Sequence, residues 1–441
     1  MTRFYHHPAP PLQRREEPLA CGHGYVVRLD VERLTLGFDA LARAEGQVVF
    51  VPYGAPGDTV EAEPTERRRD WLRARIERVV VPGPDRVLPG CAAFPTCGGC
   101  QWQHVTPAAQ RAAKRDIVAE QLRRIAGLAD VEVLPTLAAP DAFGYRGRVS
   151  LVAEGRRLGY HRARSHALVE VDACPIADPA VSAHLGTARA WAAALRVPLR
   201  RVTVSAAPGG VALVAATDAA PGEPDVRATE ELLVREAAVR GAVLRGGGAR
   251  RVVGDPTVRV EVEAGLALEI PADTFSQVNP AGNRLLVAAV LAFGGFRTGE
   301  RALDLYCGAG NFGLPLARRG VLVHGVERDA VAVAAAEENA ARLGLATAHF
   351  TCAPVARALA RIADTYDAVV LDPPRAGAAD VVDALGRLRA PRILYVSCDP
   401  ATLARDARAL RAHGHRLARV QPLDLFPQTF HVEAVADFRL T

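Results

Sequence analysis

The chain has 441 residues, 49% of them hydrophobic and 23% charged, with a formal charge of +5. That length predicts two or three compact units, each able to bury its own core. No uninterrupted apolar run approaches the ~20 residues that a membrane-spanning helix requires, so no membrane partner is expected.

Residues 1–24 are rich in Pro, His and Arg and lack the apolar core of a secretory signal; a disordered lead-in and a cytoplasmic location are expected. The positive balance suits a polyanionic partner without identifying one. The basic residues are nearly all Arg, with Lys114 the single Lys, and Ala is abundant, the mark of GC-rich coding. Each Arg therefore carries less meaning than usual. From 25 to 82 the chain reads as short strands, 26–31, 46–52, 59–63 and 71–81, which predict a small β-barrel. Its turns hold Pro56-Gly57-Asp58 and the tract Arg67-Arg68-Arg69-Asp70-Trp71. That tract reads equally well as a phosphate-contacting hairpin with one stacking aromatic or as a solvated turn with a core Trp.

Of eight cysteines, Cys91, Cys97 and Cys100 cluster, a placement that favours metal or catalytic roles over disulfides. A fourth thiol follows in Ala173-Cys174-Pro175. Four thiolates suit tetrahedral zinc or an iron–sulfur cubane. Zinc is the commoner partner, but three clustered thiols with a remote fourth before Pro form the ferredoxin-like arrangement. Residues 107–127 predict one amphipathic helix, with Ile117, Leu122 and Ile125 on its apolar face. Between 145 and 268 the pattern is mixed α+β, with strand-like runs at 148–152, 201–205 and 210–215.

From Arg301 onward strands and helices alternate regularly. Strands are expected at 302–306, 321–327, 348–351, 368–372 and 392–397, and helices begin at Phe312, Ala330, Val355, Ala379 and Thr402. This predicts an α/β doubly wound parallel sheet, with its ligand at the carboxyl ends of the strands. There the polar motifs lie. Asp304-Leu305-Tyr306-Cys307-Gly308-Ala309-Gly310-Asn311-Phe312 is a glycine turn opening a helix, and its glycines allow close backbone approach to a ligand. Glu327, ending the next strand, is placed to accept both hydroxyls of a ribose. The pair suits an adenosyl ligand better than a nicotinamide one. Asp372-Pro373-Pro374-Arg375 lacks the Asn and aromatic that mark methylation of exocyclic amines.

Ser397-Cys398-Asp399-Pro400 puts a thiol at the mouth of the crevice. By itself such a Cys is more often a small buried hydrophobe; the neighbouring motifs reverse that reading. Uracil C5 is a poor nucleophile, and thiolate addition at C6 creates the enolate that can attack an electrophilic methyl group. The C5 proton must then leave to a base. Glu433 is the first candidate, and His431 is its rival.

These stretches, with Phe275-Ser276-Gln277-Val278-Asn279 and the segment from Phe426 to Glu433, resemble the bacterial RNA uracil-5 methyltransferases, especially the 23S ribosomal RNA enzymes that carry an iron–sulfur cluster. The resemblance covers nearly the whole chain after Tyr25. It implies a Rossmann-like S-adenosylmethionine methyltransferase domain over 269–441 and a central α+β iron–sulfur domain over 83–268. It further implies that Gln277, Tyr306, Asn311, Glu327 and Asp372 contact S-adenosylmethionine, that Cys398 is the nucleophile and that Glu433 is the base. Cys91, Cys97, Cys100 and Cys174 would hold a 4Fe-4S cluster, organising an RNA surface that includes Arg146, Arg148, Arg162 and Arg164. Residues 25–82 resemble the TRAM domain, an RNA-binding module, through Val48-Val49-Phe50-Val51-Pro52 and Pro56-Gly57-Asp58. The expected product is 5-methyluridine, in 23S ribosomal RNA ahead of tRNA, made by a monomer; a catalytically inactive RNA-binding protein is the reading of another class. One departure is Cys352-Ala353-Pro354, where relatives often have Asn. The target base would be flipped out of its stack to reach Cys398.

Overall fold

A computed structural model describes residues 25–441; the expected lead-in lies outside the described residues. The chain divides into two compact units, one comprising Asp39–Arg86 with the chain up to Leu34, the other Thr35–Phe38 with Val87–Thr441.

The first unit is a closed barrel of five strands, Val27–Leu34, Asp39–Ala44, Gln47–Pro52, Thr59–Arg67 and Trp71–Val81. Alternate residues turn inward, so Leu29 and Val31, Val49 and Val51, Val60 and Ala62, and Leu72 and Ala74 fill the core. Closure leaves no strand edge open to another chain. Asp39–Ala44 is absent from the sequence reading, because its three alanines carry no β-branched signature.

Pro56-Gly57-Asp58 has a structural role. The Asp58 carboxylate is fully buried and accepts the amides of Ala55 at 2.6 Å and Gly83 at 2.9 Å and the fork of Arg86. Burial pushes its pKa up, but Arg86 and the two amides outweigh burial and hold it below the ordinary Asp value. Trp71 sits edge-on to Phe50 with ring centroids 5.6 Å apart, and Arg73 lies 5.3 Å from the Trp71 ring centroid. Arg68 pairs with Glu66 at 2.8 Å. The tract is therefore anchored to the barrel at Trp71, and Arg67 and Arg69 are exposed.

In the second unit a seven-stranded sheet runs in the order Leu168–Val169, Arg157–His161, Arg148–Glu154, Leu199–Ala207, Gly210–Thr217, Val239–Gly246, Ala249–Gly254. Its core gathers Leu151, Leu158, Trp191, Val202, Leu213 and Leu244. The larger sheet has nine strands. Five are parallel, in the order Ala348–Cys352, Leu322–Glu327, Arg301–Leu305, Ala368–Leu371, Arg392–Ser397, within a residue of the expected positions. The sheet order reverses at Arg301–Leu305, the place where α/β sheets open a ligand crevice.

Beyond the five expected parallel strands the sheet continues antiparallel. Glu433–Leu440 and His415–Asp424 pair antiparallel to each other, and Glu433–Leu440 pairs antiparallel to Arg392–Ser397. The connection 425–432 is too short for a parallel crossover, so it closes as a hairpin. Glu132–Val133 and Leu137–Ala138, from far earlier in the chain, pair with His415–Asp424 and extend the sheet. The helix Pro107–Gln121 starts at Thr106, whose hydroxyl accepts the Ala109 amide, and widens into a π-helical turn over Leu122–Ala126 that ends at left-handed Gly127.

Candidate active site

The crevice is built from strand ends. Asp304, on Arg301–Leu305, is fully buried and accepts the Gly313 amide at 2.8 Å, which pins the turn it begins. Burial, with Asp372 and Glu327 nearby, lifts its pKa to about 8, so it is largely protonated at neutral pH. Tyr306 has φ +61, a left-handed conformation that costs a non-glycine residue energy and is found where a site demands it. Gly308 and Gly310 follow with φ +53 and +92, and a Cβ on Gly310 would lie 2.6 Å from the Leu314 side chain. Gly310→Ala is therefore expected to cost about 1–3 kcal/mol of stability and to weaken adenosyl-ligand binding. Thermal unfolding and titration with S-adenosylhomocysteine measure both.

Glu327 is held by backbone amides: Arg328 at 2.7 Å and Asp329 at 2.9 Å on one oxygen, Gly308 at 3.3 Å on the other. Asn311 exchanges two hydrogen bonds, 2.7 and 3.0 Å, with Asn283. Asn283, buried on the helix Pro280–Gly294, escaped the sequence reading; its signal was a lone amide, next to Arg284, in a helix apolar elsewhere. Gln277 donates to Asp372 at 3.2 Å. Asn279 caps the helix through the Gly282 amide and donates to the Leu425 carbonyl, both at 2.9 Å.

An open cleft is lined by Gln277, Tyr306, Asn311 and Asp372 together with Phe275 and Val260. Four of the five expected donor contacts thus share one wall. Glu327 is not on that wall but is bonded to Gly308, which is.

Cys398 follows Arg392–Ser397, and Glu433 begins the strand beside it. Ser397 pairs with Ala434, so the next step of the antiparallel register sets Cys398 opposite Glu433. Burial, then Glu433 and Asp372, lifts the Cys398 thiol to about 12, against the pull of Arg375. Burial, then Asp372, pushes Glu433, only 2% exposed, well above the usual carboxylate range. Burial also lifts Asp372 to about 7, against the Gln277 hydrogen bond. His431 goes the other way, to about 4, because it is buried and faces Arg375, Lys114 and Arg146. Asp399 accepts the amides of Ala401 and Thr402, both at 3.0 Å, and so caps the helix Pro400–Ala412, with Arg375 3.7 Å away.

Two of the expected RNA-facing arginines are committed elsewhere. Arg148 donates to Ser205 at 3.0 Å and to the carbonyls of Ala272 at 2.9 Å and Thr274 at 2.7 Å, which ties the central sheet to the turn before Phe275. Arg146 donates to the Arg148 carbonyl at 3.0 Å. Arg162 and Arg164 are exposed.

The thiols of Cys91, Cys97, Cys100 and Cys174 lie within electrostatic reach of one another. Burial raises the pKa of Cys97 and carries Cys100 to about 12, and the other thiols add to both shifts. Among the described residues, no three His, Cys, Asp or Glu side chains are placed to hold a single metal ion. The segment is packed tightly: the Gly98 amide donates to the His161 carbonyl at 2.9 Å, and a Cβ on Gly98 would lie 2.9 Å from that same oxygen.

Comparison with known proteins agrees with this geometry. Residues 257–437 match the family model of the tRNA (uracil-5-)-methyltransferases, and residues 22–76 match the TRAM domain. A 23S rRNA (uracil(1939)-C(5))-methyltransferase of Pseudomonas entomophila is 38% identical over 93% of both chains. An uncharacterised RNA methyltransferase of Thermosynechococcus vestitus is 36% identical over 94% of this chain and 98% of its own. Among solved structures, the Pyrococcus abyssi tRNA (uracil-54, C5)-methyltransferase in complex with S-adenosyl-L-homocysteine superposes with a TM-score of 0.70 at 26% identity, covering 93% of this chain and 100% of its own. With the donor cleft, the barrel and these relatives in agreement, the chain belongs to the S-adenosylmethionine-dependent RNA uracil-C5 methyltransferase family.

Proposed function

We propose that the protein methylates uracil C5 in 23S ribosomal RNA through a covalent adduct between Cys398 and C6. The observation that carries this reading is the pairing of Ser397 with Ala434, the residues next to Cys398 and Glu433, with Asp372 of the donor cleft acting electrostatically on both. Gln277, Tyr306, Asn311 and Asp372 hold S-adenosylmethionine in the cleft, and Glu327 receives the ribose beside Gly308. The Cys398 thiol gives its proton to water, the thiolate adds to C6 to form the Sγ–C6 bond, and the C5–C6 π electrons become an enolate. C5 then takes the methyl group, and S-adenosylhomocysteine departs. Glu433 removes the C5 proton, and elimination breaks the Sγ–C6 bond, returning Cys398 and the 5-methyluridine. His431, held neutral near neutral pH, is too weak a base to rival Glu433. The uracil must leave its stack to reach Sγ.

The ribosomal substrate is supported by relatives at 35% and 38% identity. The tRNA reading is supported by the solved archaeal enzyme and the matched family model. Mapping 5-methyluridine in both RNAs from a deletion strain decides between them. Loss at one 23S uridine with tRNA unchanged is expected, and the reverse pattern transfers the assignment to tRNA. An inactive RNA-binding protein would leave both maps unchanged.

Residues 25–82 are the RNA-binding barrel, 83–268 the central domain and 269–441 the catalytic domain of this proposal. The reading of the four thiols as 4Fe-4S ligands rather than zinc ligands rests on their spacing, three clustered and a remote fourth before Pro. Cys91, Cys97, Cys100 and Cys174 would hold the cluster as a brace for the central domain; the methyl transfer itself needs no electron.

A further inference from the structure

We infer that Lys114 is a positioning residue that fixes the loop leading into Glu433 and so holds Glu433 in place beside Cys398. The inference rests on the proposed role of Glu433. Lys114 lies on the helix Pro107–Gln121, more than three hundred residues before that loop in sequence, and its side chain is fully buried. Its ammonium donates to the Asp424 carboxylate, where the strand His415–Asp424 ends, and to the Phe426 carbonyl at 3.0 Å. The Trp102 ring centroid lies 5.8 Å from it.

The bond to Phe426 leads to the base. The same carbonyl accepts the Thr429 hydroxyl at 2.8 Å, and the Thr429 oxygen in turn accepts the His431 amide at 3.2 Å, two residues before Glu433. The loop 425–432 has no helix or strand of its own and depends on outside donors. Besides Lys114, Asn279 holds the Leu425 carbonyl, Tyr145 the Pro427 carbonyl at 3.0 Å, and the amides of Gln101 and Trp102 the Gln428 carbonyl at 3.0 and 2.9 Å. Gln110, one helical turn before Lys114, exchanges two bonds, 2.8 and 3.1 Å, with Gln428, which is left-handed at φ +71. Lys114 alone among these donors brings a charge, and it grips both the last residue of the strand and the loop.

The composition points the same way. Among 54 basic residues this is the single Lys. An enclosed site that needs a compact ammonium with three rotatable donors does not accept the planar fork of Arg, so the coding bias towards Arg stops here.

The test separates the two halves of the reaction. Lys114→Met and the double variant Lys114→Met/Asp424→Leu are compared with wild type in single turnovers on RNA carrying [5-³H]uridine, following methyl transfer and tritium release. Adduct formation on 5-fluorouridine RNA and S-adenosylhomocysteine affinity are measured alongside. Tritium release is expected to fall roughly a hundredfold, with donor affinity and adduct formation unchanged and methylated RNA accumulating on the protein. If adduct formation and tritium release fall in parallel, or neither changes, Lys114 does not position the base. The double variant leaves no buried unpaired carboxylate and carries the test if the single one fails to fold. Absence of a wild-type adduct would overturn the underlying function; a normal wild-type adduct with normal tritium release in the variants overturns only the positioning role.

Discussion

Cys398→Ala is expected to abolish methylation, with a loss of roughly 10⁴-fold or more, as for other nucleophiles whose removal leaves only binding and electrostatic assistance. On 5-fluorouridine RNA the wild-type protein should form an adduct that survives denaturation, because fluorine at C5 cannot leave as a proton. Cys398→Ala should form none while still binding S-adenosylhomocysteine. An equal adduct in the variant would assign the nucleophile to another residue. The pH dependence follows from the thiol, which burial, Glu433 and Asp372 hold up at about 12. The free protein therefore keeps Cys398 protonated at neutral pH, and the thiolate fraction grows with each pH unit below that pKa. Adduct formation in single turnovers should accordingly rise about tenfold per unit between about pH 7 and 9. Arg375 is the cation that opposes the shift, so Arg375→Ala should slow adduct formation at fixed pH.

The strand ends that carry this chemistry were legible because buried parallel strands read as continuous apolar runs stopped by polar or turn residues. Leu303, Val369 and Ile393 mark such runs, and Asp304, Asp372 and Cys398 stand at their ends. Glu132–Val133 and Leu137–Ala138 were not legible, since a two-residue strand has no period and exists only because His415–Asp424 offers it an edge. The antiparallel hairpin was hidden in the same way: loop length signals it, but only the pairing of Ser397 with Ala434 brings the ends that carry Cys398 and Glu433 together. Arg148 looked like one more surface charge in an Arg-rich chain; its bonds to Ala272 and Thr274 span more than a hundred residues and leave no local trace. Asn283 became meaningful only once Asn311 was placed beside it. Local pattern thus announced the motifs, and tertiary contact decided how they were held.

Glu433→Gln should stop the reaction one step later than Cys398→Ala. Gln keeps the shape of the side chain but cannot take the C5 proton, so the methyl group should still be transferred and the methylated adduct should persist. Turnover is expected to fall about 10²- to 10⁴-fold, the usual contribution of a positioned general base. Glu433 is also one of the groups that raise the Cys398 pKa. Burial also pushes Glu433 itself toward its neutral form, so Gln, neutral too, should leave the thiol little changed. Adduct formation on 5-fluorouridine RNA should therefore stay close to wild type in Glu433→Gln, a sign that generic damage to the site would not produce. Single turnovers on [5-³H]uridine RNA read the two halves separately: methyl incorporation close to wild type, tritium release nearly lost. His431→Ala should spare tritium release by comparison, because an imidazole held to about 4 contributes little basicity. If tritium release survived in Glu433→Gln and disappeared in His431→Ala, the base would be the histidine, and the carboxylate opposite Cys398 would act only through its charge.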